Sequence, residues 1–154
     1  TLPAALEAIK RLLVDGGLLY APMTFNGHTS FTPRAPTDDR IERLYHRHMD
    51  EIRDQPGSSR AGQQLLDELP AAGYTVVGAG GADWLVRPVD GAYPADESTV
   101  ISHLLSTIDG ALADYPADEI EPETRTEWIE TRREQLDCGE LTLVAHHVDV
   151  LARL

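Results

Sequence analysis

Six histidines, His28, His46, His48, His103, His146 and His147, are the residues of this chain best suited to move protons near neutral pH. Their spacing argues against a shared metal. His46 and His48 stand two apart, so on a helix their side chains point about 200° away from each other. His146 and His147 are adjacent, and neighbouring side chains on a strand face opposite sides of the sheet. No HExxH pattern occurs, and the single cysteine, Cys138, excludes both an internal disulfide and a cysteine-based zinc cluster. Cys138 also stands among acids, Asp137 and Glu140, which disfavour a thiolate nucleophile. Ser30, Ser58 and Ser59 lack a GxSxG elbow, so the pattern of a serine hydrolase is missing.

What remains is the stretch Phe25-Asn26-Gly27-His28-Thr29-Ser30-Phe31, read as the start of a polar loop over Phe25 to Thr37. It follows a short apolar run, Leu18 to Met23, that reads as a parallel strand covered on both faces. Open α/β sheets place their ligands beyond the carboxyl ends of such strands. There His28 would serve as general base, Asn26 and Thr29 as hydrogen-bond donors and Phe31 as an apolar wall. The plainer alternative is an ordinary polar connection.

The elements that must position these groups follow from periodicity and stop signals. Leu6, Ile9, Leu12 and Leu13 recur at helical spacing over residues 3 to 14, and Gly16-Gly17 supplies the stop. Asp38 and Asp39 open a second helix with Ile41, Leu44, Tyr45, His48, Met49 and Ile52 along one stripe, broken at Pro56-Gly57-Ser58-Ser59. Ser59 is placed to cap a short helix carrying Leu65, Leu66 and Leu69. A strand runs from Tyr74 to Gly78, Gly78-Ala79-Gly80-Gly81 suggests a bulge or turn, and Asp83 to Arg87 resumes extended structure. Residues 96 to 113 form an amphipathic helix, in which Gly110 suggests close packing or a bend. Another helix starts near Pro122 and ends at Cys138-Gly139, and Glu119, Glu121 and Glu123 ahead of it read as a solvated, dipole-supporting face. Leu141 to Leu154, apolar on both sides, reads as a central strand. The order is α/β, with three strands and much helix.

Composition narrows the partners. Twenty-six acidic residues oppose 13 basic ones, a net charge of -13, which repels nucleic-acid backbones. Lys10 is the only lysine; a protein kept soluble in high salt and a GC-rich gene both fit that bias. No apolar run is long enough to span a membrane, and no signal peptide is seen, so a reducing cytoplasm is the expected setting.

Three segments in order, "LLVDGGLLYAPMTF", "LLDELPAAGYTVV" and "GELTLVAHHVDVLARL", resemble the C-terminal half of a class I S-adenosylmethionine-dependent methyltransferase. The first is similar to the turn that leads into that family's fifth strand, with Asp15 where proline is usual. The second leads into the sixth strand, and the third is similar to the closing strand, which returns antiparallel between the fifth and sixth. The resemblance covers almost the whole chain and implies part of a Rossmann-like sheet with covering helices, one domain over residues 1–154 with a helical insertion over residues 89–139. It also implies a small-molecule methyl acceptor, with Trp84, Arg87, Tyr93 and His103 as candidate substrate contacts; the alternative is that Trp84 and Tyr93 pack helices onto the sheet. S-adenosylmethionine is implied as cofactor. Its glycine-rich loop is not found here, because the GxG within Gly78 to Gly81 leads into a strand instead of a helix.

The chain therefore reads as a piece of a larger protein that starts in the middle of an α/β unit. The strand Leu18 to Thr24 would lack a neighbour on one side, an edge that invites pairing. Either a missing N-terminal half or a second copy of the chain is the expected partner. A non-enzymatic module that assembles through this edge is the competing reading.

Overall fold

A computed structural model describes residues 1–52 and 58–154. In chain order the elements are α1 (Leu2–Lys10), β1 (Leu18–Thr32), α2 (Asp38–Arg47), α3 (Ala61–Ala71), β2 (Thr75–Gly81), β3 (Trp84–Val86), α4 (Glu97–Ala113), α5 (Pro122–Asp137) and β4 (Thr142–Arg153). A π-helical turn, His48–Ile52, continues α2. The expected break at Pro56-Gly57 and the side chain of Ile52 lie outside the described residues. The fold is α/β, with helices and an open sheet of order β1-β4-β2 in which β3 also pairs with β4. Among the described residues no helix is long and apolar enough to cross a membrane.

The chain divides into two compact units, the first of residues 1–27, 58–83 and 146–154 and the second of residues 28–52 and 84–145. In the first, β4 is the middle strand. Gly16 N–H donates to Leu154 O and Leu154 N–H to Gly17 O, so the end of β4 meets the start of β1 and the two run in opposite directions. On its other side β4 is antiparallel to β2, with Thr75 opposite Arg153 and Gly81 opposite Val148. The core beneath is Leu6 of α1, Leu65 and Leu69 of α3, Tyr74, and Val148, Val150 and Ala152 of β4. Gly62 lets α3 approach closely, because a Cβ there would meet the Val148 side chain at 3.0 Å and Thr24 O at 3.2 Å.

Three expectations for this unit need correction. Leu18 to Met23 is not covered on both faces: Leu19 and Ala21 pack on the core, whereas Leu18 is 52% and Tyr20 58% exposed. Its neighbour β4 runs antiparallel to it, and half-covered antiparallel strands alternate in this way. The irregularity in β2 falls between Val76 and Gly78, while Gly78 to Gly81 stay in the ladder with β4. The N-cap position of α3 is Arg60 rather than Ser59, which is buried. The Gln63 N–H there is taken by Asn26 Oδ1 at 2.9 Å, a cap supplied by a distant residue.

The second unit packs α2, α4 and α5 around Phe31, Val86 and the start of β4. Ile41, Leu44, Ile101, Leu105, Ile108, Trp128, Ile129, Leu141 and Leu143 belong to one buried cluster. β3 is antiparallel to β4, with Trp84 opposite Ala145 and Val86 opposite Leu143. The segment expected as a loop from Phe25 to Thr37 is instead strand as far as Thr32. Thr29 and Phe31 are buried while His28 and Thr32 are exposed, so a period of two runs beneath the polar composition. Gly110 has open space where a Cβ would stand and the helix α4 runs unbroken through it, so it serves no close packing. Val89 and Ala92 close a two-residue hairpin whose central residues, Asp90 and Gly91, have φ of 53° and 77°, the Asp-Gly turn that suits twisted strands.

Candidate functional site

The sequence candidates do not converge on one pocket. Asn26 belongs to the first unit and is engaged as the α3 cap. The others lie in the second unit. Trp84 is on β3, Arg87 is exposed just after it, and His103 is exposed on α4. Tyr93 donates its hydroxyl to Leu141 O at 2.6 Å, a structural bond, and also borders a cleft of about 550 Å³ with Gly91, Ser98, Thr99, Ser102 and Asp137.

His28 and Thr29 are brought together by a residue that sequence reasoning missed, Glu42 of α2. The Oε1 atom of Glu42 lies 3.1 Å from His28 Nδ1 and accepts the Thr29 backbone N–H at 2.9 Å. The His28 side chain is 52% exposed and that of Glu42 19%. Nδ1 faces the carboxylate, and the half-exposed ring leaves Nε2 on the other side. A histidine beside a carboxylate is an arrangement from which a general base can be built. Glu42 lies on α2 one turn beyond Asp38, and its only sequence signal was a carboxylate on a helix that returns against the strand.

Beneath this pair Thr29, Phe31, Asp38, Glu42, Tyr45 and Trp128 line a cavity of about 10 Å³, room for about one water. Its floor is a buried polar network. Asp38 Oδ2 accepts the Ala35 N–H at 2.8 Å, and Asp38 Oδ1 accepts Trp128 Nε1–H at 2.8 Å together with Arg132 Nη2–H. Arg132 is fully buried, donates from Nη1 to Pro33 O at 2.6 Å and Gln135 Oε1 at 2.8 Å, and lies beside the rings of Phe31 and Trp128. Phe31 meets Trp128 edge to face at 5.8 Å. Phe31 is thus an apolar wall, but of the core.

Burial pushes the Asp38 carboxyl up, and the hydrogen bonds from Trp128, Ala35 and Arg132 outweigh it, so its pKa ends below the ordinary carboxylate value. A depressed folded-state pKa contributes stability above the unfolded value of about 3.9, lost as pH falls through the folded value. Unfolding free energy is therefore expected to drop as pH falls below about 4, and Asp38→Asn should flatten that acid limb. Urea titrations of both proteins across that range check it; equal acid limbs would remove Asp38 from the account.

Two further imidazole–carboxylate pairs exist. His48 Nε2 lies 2.7 Å from Asp114 Oδ2, with the ring tilted against Tyr115; the His48 side chain is mostly covered, whereas that of Asp114 is exposed. In the first unit His146 Nδ1 lies 2.7 Å from Asp83 Oδ1, just beyond the end of β2. Elsewhere on that unit Asp149 takes the Met23 N–H at 2.8 Å and the Tyr20 hydroxyl at 2.7 Å, which hold its carboxyl below the usual range; Met23 itself has φ of 51°. Among the described residues no group of three or more His, Cys, Asp or Glu could hold a metal ion. No protein-family model matches the chain, and no curated protein sequence matches it.

Proposed function

We propose that residues 1–154 form the substrate-side portion of an S-adenosylmethionine-dependent methyltransferase. The last strand carries the reading: β4 runs antiparallel between β1 and β2. The resembled family has that arrangement for its fifth, seventh and sixth strands. The residues in hand do not make a cofactor cradle. Gly78 to Gly81 are laddered to β4, and β3 follows them instead of a helix, so their N–H groups are not presented to a ligand. On this reading the cofactor is gripped by the first half of such an enzyme. The present residues meet the methyl acceptor, and His28 Nε2 takes a proton from its hydroxyl or amine while Glu42 holds the imidazole and stabilises the imidazolium. The cavity beneath admits little more than a water, so the acceptor meets His28 from its exposed side.

A second reading, a non-enzymatic module that pairs through β1, is favoured by the exposed Leu18, Tyr20 and Met23 on a strand at the end of the sheet order. One experiment separates the two. S-adenosylmethionine is titrated calorimetrically into the protein encoded by the reading frame that contains this chain, and into residues 1–154 alone. The methyltransferase reading expects binding by the longer protein and none by residues 1–154. A frame with no strand and glycine-rich loop ahead of Thr1, or a longer protein that fails to bind, overturns it. Self-association of residues 1–154 in sedimentation velocity, alongside that failure, favours the module.

A further inference from the structure

Helix α2 carries Arg40, Arg43 and Arg47 along one stripe, since steps of three and four residues return to the same face. With Leu44 they line a cleft of about 450 Å³, to which the connection between α4 and α5 contributes Asp118 and Glu119. Glu119 fixes two of the three. Its Oε1 lies 2.7 Å from Arg47 Nη2, and its backbone oxygen accepts Arg40 Nη2–H at 2.5 Å. Arg47 is held further by the Tyr115 ring, 4.7 Å beneath its guanidinium, and by the Tyr115 hydroxyl, which donates to Leu44 O at 2.7 Å.

The Glu119 carboxylate is thus matched by Arg47, whereas Arg40 gives its bond to a neutral carbonyl. Among the described residues neither Arg40 nor Arg43 takes part in an ion pair. Two guanidiniums one turn apart, neither in an ion pair, line a cleft whose other carboxylate is that of Asp118, and they stand out in a chain of net charge -13. A planar guanidinium presents paired N–H groups that fit the oxygens of a phosphate. Asp118 sets the limit on the other side. With three guanidiniums against two carboxylates, the cleft suits one compact anion and repels an extended polyanion.

We propose that the Arg40–Arg43 cleft binds a single phosphate-sized dianion, either free phosphate or the terminal group of a phosphomonoester. The inference is independent of the methyltransferase reading. The test is calorimetric titration at mildly alkaline pH, where phosphate is doubly charged, and at an ionic strength of about 0.1 M, where charges beyond about 10 Å are screened. Inorganic phosphate and ribose 5-phosphate are the probes, and a short DNA duplex is the polyanion control. Both probes are expected to bind and the duplex not to. Tighter binding of ribose 5-phosphate assigns the site to an ester, and equal affinity assigns it to free phosphate. Arg43→Ala, at an exposed position, and Arg40→Ala should each weaken binding by about tenfold or more. Arg133→Ala, exposed on α5 away from the cleft, should leave it unchanged. The proposal is overturned if neither probe binds, if the duplex binds as well as they do, or if Arg43→Ala and Arg133→Ala weaken binding alike.

Discussion

Arg132→Met is expected to lower the unfolding free energy of the second unit by roughly 3 to 5 kcal/mol. The guanidinium is fully buried, and its removal leaves the carboxylate of Asp38, itself only 8% exposed, without a counter-charge. Pro33 O and Gln135 Oε1 lose their donors in the same step. Methionine restores much of the volume against Phe31 and Trp128, so the loss reads electrostatics and hydrogen bonding rather than a cavity. Both tryptophans, Trp84 and Trp128, lie in this unit, so urea denaturation followed by tryptophan fluorescence reports it directly. The double variant Asp38→Asn/Arg132→Met should be less destabilised than the sum of the single ones, because the second change removes the charge that the first left unpaired. A loss within about 0.5 kcal/mol, ordinary for a surface site, would refute the assignment.

Gly139→Ala is the second large effect, expected to cost roughly 3 kcal/mol or more. Gly139 has φ of 66° just past the end of α5, where Gly139 N–H donates to Leu136 O at 3.0 Å and Glu140 N–H to Gln135 O at 2.8 Å. These two bonds form the Schellman closure, which needs the left-handed conformation. A Cβ at this position would also run into the backbone carbonyl of Gly91, which has no flexible tip to move aside. Gly91 in turn is fixed in the Asp90-Gly91 hairpin by the reciprocal bonds Val89 N–H to Ala92 O at 2.8 Å and Ala92 N–H to Val89 O at 3.1 Å. The control is Gly110→Ala in α4, where a Cβ meets nothing within 4 Å. That change should be neutral or stabilise by about 0.5–1 kcal/mol. If both variants melt with the wild type, the close approach of Gly139 to Gly91 is not a feature of the folded protein.

How much was legible varied from element to element. The helices α4 and α5 follow from their apolar stripes, Pro122 and the Cys138-Gly139 stop. The middle position of β4 is consistent with a strand apolar on both sides. The Asp90-Gly91 turn is a local signal, because both residues tolerate the positive φ that such a turn demands. β1 was cut short, because glycine and polar side chains over Phe25 to Thr32 hid an alternation that matters only once a partner strand and a helical layer exist. In the candidate site, His28 was visible as a residue type, but Glu42 was not.

By itself the sequence determined what acts over a few residues: where most helices lie, which glycines and prolines end them, and a net charge of -13. Local torsion preferences and apolar periodicity operate at that range, so they need no knowledge of the fold. Tertiary structure alone decided the pairings. Asp38 meets Arg132 across 94 positions, Asn26 caps a helix 37 positions away, and β4 takes the place between β1 and β2. A buried charge or an unpaired helix N–H accepts whatever partner the closed chain brings within hydrogen-bond distance. That identity is settled by packing, so His28 meets Glu42 only where α2 folds back against β1.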